Sequence, residues 1–131
     1  MANKTTIFDG ALNIAPLINA TNALQEALKE AQTQLEQDSA IQRFEFTYEL
    51  LWKTLKKILS FKGIDANNPR DVFREAAKNK LIDHPQFWFG VIRKRNLTTH
   101  IYNQEIAADI FEFLPEFETH LVKVLETIKK L

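Results

Sequence analysis

Ten consecutive residues concentrate the reactive side chains of this sequence: Arg93-Lys94-Arg95-Asn96-Leu97-Thr98-Thr99-His100-Ile101-Tyr102. Its two guanidinium groups stay charged at any working pH and offer an anion a rigid fork of donors. His100 adds an imidazole, a group type that can give or take a proton. A phenol and several short polar side chains complete the set, and the aromatic cluster Phe87-Trp88-Phe89 lies just before it. At about 100° per residue, Asn96 and His100 share one face of a helix, whereas Arg95 and His100 lie well apart around the axis. Arginine's length narrows that gap, and a helix ending near His100 narrows it further. The same residues also read as a polar helix end whose cationic last turn complements the helix dipole. Side-chain chemistry alone leaves both readings open.

Other sources of chemistry are scarce. The chain has no cysteine, which removes disulfides, thiolate metal sites and cysteine nucleophiles. Gly10, Gly63 and Gly90 are isolated, so there is no glycine-rich phosphate loop. His84, His100 and His120 are dispersed without metal-ligand spacing, and neither a metal nor a cofactor is expected. Glu45 and Glu49 stand one helical turn apart with Lys53 a turn further on, the pattern of a solvated charge ladder. Formal net charge is zero, but residues 51–100 carry eleven basic and four acidic side chains. The corresponding numbers are three and seven in residues 1–50, and three and six in residues 101–131. Such a stretch is either an anion-binding face or a set of solvated helix faces neutralised by acidic neighbours.

Helical periodicity dominates the segments that must position these groups. A first helix is expected from about Ala11 to Glu36, with Leu12, Leu17, Leu24, Leu28 and Leu35 inward and Pro16 early enough to delay its regular start. A second opens at Asp38 or Ser39, both good N-cap types, and runs to about Phe61 before Gly63. Its inward stripe is Ile41, Phe44, Tyr48, Leu51, Leu55, Ile58 and Leu59. Asn68-Pro69 opens a third, to about Asn79, and a fourth begins between Asp83 and Pro85. A fifth begins at Asn103 and continues to the C-terminus, kinked or split at Pro115. No stretch alternates as a strand does. The expected fold is all-α, an antiparallel bundle of four or five helices.

At 131 residues, with 45% hydrophobic content and fourteen aromatics, one domain over residues 1–131 with a proper core is expected. The first thirteen residues lack the apolar stretch of a signal peptide, and the longest strongly apolar run, Phe87 to Ile92, is too short to span a bilayer. A cytoplasmic protein without membrane contact is expected.

Arg95-x-x-x-x-His100-x-Tyr102 resembles the Arg-x4-His-x-Tyr signature of HEPN toxins of the HepT kind. Further blocks, in family order, resemble proteins named nucleotidyltransferase substrate-binding proteins. These are Arg43 to Lys56, Pro69 to Ala76, Leu81-Ile82-Asp83, Trp88 and Arg95 to His100, and together they cover about residues 40–115. The resemblance implies a dimeric helical bundle encoded beside a minimal nucleotidyltransferase. It also implies a metal-independent ribonuclease whose arginine and histidine, Arg95 and His100, share a site at the dimer interface. Asn96 then holds a phosphate oxygen or orients that pair, RNA supplies its own 2′-hydroxyl as nucleophile, and the partner enzyme silences the toxin by attaching AMP to Tyr102. A non-catalytic subunit that presents substrate or nucleotide to the nucleotidyltransferase is the other function the resemblance allows. The chain departs from the pattern at Lys94, where the family has an acidic residue. Glu45 or Glu49 is available to brace Arg95 from the second helix.

Overall fold

Local signals set each helix end. Pro16 in the first turn, with the Asn13 side chain accepting the Ala15 N–H at 2.9 Å, starts α1 (Ala15–Glu30). Thr33 and Glu36 form a reciprocal capping box that opens α2 (Gln34–Phe61). Gly63, at φ 77°, closes α2: its N–H bonds to the Ser60 carbonyl and the Ile64 N–H to the Leu59 carbonyl. Asn68 accepts the Asp71 N–H at 3.0 Å and, with Pro69, begins α3 (Pro69–Lys78). α4 (Pro85–Leu97) runs straight into a single 3-10 turn, Thr98–His100. Asn103 then caps α5 (Gln104–Lys129) by accepting the N–H groups of Glu105 and Ile106.

This computed structural model describes residues 4–131; residues 1–3, part of the single-domain and N-terminal expectations, lie outside it. The fold is the expected all-α bundle, with five helices and short connections. Four details differ from the sequence reading. A small antiparallel hairpin, β1 (Thr6–Ile7) and β2 (Leu12–Asn13), precedes α1, pairing Thr6 with Asn13 and Ile7 with Leu12. Two-residue strands are too short to display alternation, and Leu12 happens to fit a helical stripe. The first helix ends at Glu30 and not Glu36, and the second starts at Gln34 and not near Asp38, because the Thr33–Glu36 box outcompetes the later caps. Leu35 therefore sits in the first turn of α2 and is 80% exposed. Of the kink or split expected at Pro115, the split does not occur, since α5 is continuous through it. The proline lies on the exposed side, where water can take the carbonyl that its missing N–H leaves open.

The core is fixed by rings from four helices. Phe44 of α2 meets Phe117 of α5 edge-on at 4.8 Å, Phe73 of α3 stacks on Trp88 of α4 at 5.3 Å, and Trp88 meets Phe117 at 6.0 Å. Each such pair adds about 0.5–1.5 kcal/mol beyond its area burial. Trp88 and Val91 are fully buried and anchor the first half of α4. At its C-terminal end the Arg95 side chain reaches α2. Among the described residues no helix is long and apolar enough to cross a membrane.

Candidate functional site

Arg95, on the last turn of α4, points toward α2. Its Nη1 donates to the Thr98 hydroxyl at 2.9 Å and lies 3.4 Å from a Glu45 carboxylate oxygen; its Nε is 3.8 Å from Glu49. The Nε is buried with no hydrogen-bond partner, since 3.8 Å is an ion-pair distance beyond hydrogen-bond reach. Nη2 makes no hydrogen bond among the described residues. Thr98 is buried and its hydroxyl also donates to the Arg95 carbonyl at 2.7 Å. One side chain thus holds both the guanidinium and the backbone where α4 tightens into the 3-10 turn.

Glu49 is shared further. It accepts from Trp52 Nε1 at 3.1 Å and lies 3.9 Å from Lys53. Beside it, burial and then the Glu49 carboxylate push the Tyr48 phenol up to about 12, against the opposing pull of Arg95. Tyr48 therefore stays a neutral group under the clamp. Lys94 turns away, its Nζ 5.7 Å from the centre of the Phe113 ring. The carboxylates beside Arg95 come from α2 and not from the position before it.

His100 ends the 3-10 turn and is exposed. Its Nδ1 is 3.0 Å from the Tyr102 hydroxyl, either atom donating according to the imidazole tautomer, and the two rings meet edge-on at 5.7 Å. Tyr102 is 80% exposed. Asn96 is also exposed, its carbonyl accepting from the Thr99 hydroxyl at 3.2 Å. The structure therefore joins His100 to Tyr102 and Arg95 to Glu45, Glu49 and Thr98. No hydrogen bond or ion pair links Arg95 to His100 among the described residues. Thr98 carries no signal in the sequence beyond its place inside the polar run. Glu45 and Glu49 stand there as a one-turn pair available to brace Arg95, and the structure places both beside it.

The fold also gathers two of the dispersed histidines. His120 stacks on Phe87 at 3.7 Å and faces His84 at 6.1 Å. Burial lowers its pKa, with Glu116 opposing and His84 and Lys123 adding to the effect. Among the described residues no group of three or more His, Cys, Asp or Glu side chains could hold a metal ion.

A family profile described as "Nucleotidyltransferase substrate binding protein like" matches residues 12–130. A Haemophilus influenzae protein named "Probable ribonuclease HepT" is 32% identical over 96 residues, 70% of this chain and 66% of that protein. A crystal structure from Thermus thermophilus superposes with TM-score 0.81 at 33% identity, covering 86% of this chain and 98% of the other. A second solved structure, from Haemophilus influenzae, is described as revealing the fold of a substrate binding domain of a nucleotidyltransferase. It superposes with TM-score 0.74 at 26% identity, covering 86% and 96% of the two chains.

Proposed function

The chain belongs to the nucleotidyltransferase substrate binding protein like family, and within it we propose that this protein is the HEPN-type component of a cytoplasmic toxin–antitoxin pair. It is a metal-independent endoribonuclease whose partner is a minimal nucleotidyltransferase encoded nearby. The observation that carries this reading is the placing, on one short segment, of a braced Arg95 and an exposed His100–Tyr102 couple. Likeness to the ribonuclease-named relative supports it.

In the proposed reaction the RNA 2′-oxygen attacks the adjacent phosphorus, and the bond to the 5′-oxygen breaks. The products are a 2′,3′-cyclic phosphate and a 5′-hydroxyl. His100 moves the proton and the free Nη2 edge of Arg95 meets the charge that grows on phosphate, with Asn96 holding a phosphate oxygen. Because Arg95 and His100 do not touch within one chain, a homodimer completes the site. Phe46 on α2, 51% exposed, and Leu97 on α4, 40% exposed, are exposed apolar side chains next in sequence to Glu45 and Asn96. Silencing follows when the Tyr102 oxygen attacks the α-phosphorus of ATP and pyrophosphate leaves. His100 Nδ1, 3.0 Å away, is placed to take the phenolic proton.

A second reading is a non-catalytic subunit that presents substrate to the nucleotidyltransferase, with Arg95 and His100 holding a nucleotide. The description of the Haemophilus influenzae structure favours it. Expression without a partner separates the two. The ribonuclease reading expects slowed growth that His100→Ala relieves, and AMP on Tyr102 only when the nucleotidyltransferase is co-expressed and only with that hydroxyl present. A wild type that binds nucleotide and leaves growth and RNA untouched replaces it with the second reading.

A further inference from the structure

A groove of about 510 Å³ runs between the start of α1 and the C-terminal half of α2. Leu17 and Leu50 form its apolar floor, the half-buried Trp52 indole one wall, and Lys53, Lys56 and Lys57 its charge. No carboxylate lines it. The cavity beside His120, by contrast, sets Lys80, Lys123 and Lys130 against Asp83 and Glu126. Lys53 makes only a long 3.9 Å pair with Glu49, and neither Lys56 nor Lys57 pairs with a carboxylate among the described residues. Trp52 links the groove to the candidate site. The Trp52 indole bonds to Glu49, which lies 3.8 Å from Arg95.

We propose that this groove binds single-stranded RNA flanking the nucleotide presented to Arg95, an assignment of ligand that rests on the ribonuclease reading. A base stacks on Trp52 and the three lysines follow the adjacent phosphates. A single-signed cationic groove with an aromatic platform is what a strand with exposed bases and a regular negative backbone requires. A duplex keeps its bases stacked inside and cannot use the indole.

The chain has two tryptophans, and Trp88 is buried against Phe73, so quenching by bound bases reports Trp52. The purified full chain is titrated with a short fluorescein-labelled 2′-O-methyl oligonucleotide, which cannot be cut through its 2′-oxygen. Affinity is read by anisotropy at several salt concentrations, and an unlabelled copy gives the quenching. Wild type is expected to bind and quench, and to bind the matching duplex more weakly. Trp52→Ala is expected to weaken binding about 10-fold, the worth of one stacked base. Lys56→Gln with Lys57→Gln, both on the surface of α2, is expected to weaken it by a similar factor. It should also flatten the salt dependence by about 0.7 per lysine removed. Unchanged affinity in both variants overturns the proposal. So does a loss of self-association in sedimentation, which makes the groove an interface between copies. Groove-dependent binding by a chain that cuts no RNA keeps the groove and removes the ribonuclease reading. Cleavage of RNA with the groove variants fully active does the reverse.

Discussion

Arg95 and His100 lie on one short segment but are held in opposite ways. The Arg95 side chain, 26% exposed, is tied to Glu45 and Glu49 of α2 and to Thr98 of the 3-10 turn, over a core that locks α4 through Trp88. His100 and Tyr102 bond to each other on an open turn between helices. Binding a phosphate in one geometry requires the first arrangement, since a guanidinium free to swing spends its interaction energy on ordering itself. Admitting an RNA strand or a partner enzyme requires the second. The two carboxylates also offset the positive charge of Arg95, so its grip depends on α2 as much as on α4.

Removing the proposed proton-transfer group tests the open half of the contrast and carries the largest expected effect. His100→Ala is predicted to lower RNA cleavage by roughly 10²–10⁴-fold while leaving the thermal midpoint unchanged, because an exposed side chain leaves no cavity. The braced half is tested next by Arg95→Lys. An ammonium is a point charge and cannot span Thr98 and both carboxylates as the fork does. Cleavage is therefore predicted to fall by about 10²-fold or more. Equal activity in the lysine variant shows that only charge is needed there. Thr98→Val keeps the shape and removes the hydroxyl, leaving Nη1 without its hydrogen bond; a stability loss of about 1–2 kcal/mol is expected in denaturant titrations. The last effect lies under the clamp and shows only at alkaline pH. Burial and the Glu49 carboxylate raise the Tyr48 phenol from its ordinary 10.0 to about 12. Between those values the unfolded chain gives up a proton that the folded chain keeps. The stabilisation is fully present below pH 10, is lost as pH rises through this window, and its slope vanishes in Tyr48→Phe.

The helix ends set by Gly63, Asn68-Pro69 and Asn103 are legible because each is a local signal read within a few residues. Two other local features are masked. The Thr33–Glu36 box lies beneath a longer apolar period, and the hairpin is too short to alternate. The His100–Tyr102 pairing can be anticipated from their separation by one residue. The brace on Arg95 is legible only as an option open to Glu45 or Glu49, because it is tertiary and no local signal fixes it. Glu45 and Glu49 read as the start of a ladder toward Lys53, and only the fold, which brings the Arg95 side chain at the end of α4 to α2, pairs them with Arg95. Lys94 shows the same limit: its departure from the family pattern costs Arg95 no carboxylate, because α2 supplies two.

The central claim is tested most directly by incubating total RNA with the purified chain, its Arg95→Ala variant and its His100→Ala variant, with EDTA present to disable metal-dependent contaminants. The ribonuclease account predicts that the wild type cuts, leaving 2′,3′-cyclic phosphate and 5′-hydroxyl ends, and that neither variant does. Intact RNA with wild type, or equal cleavage by all three proteins, contradicts it.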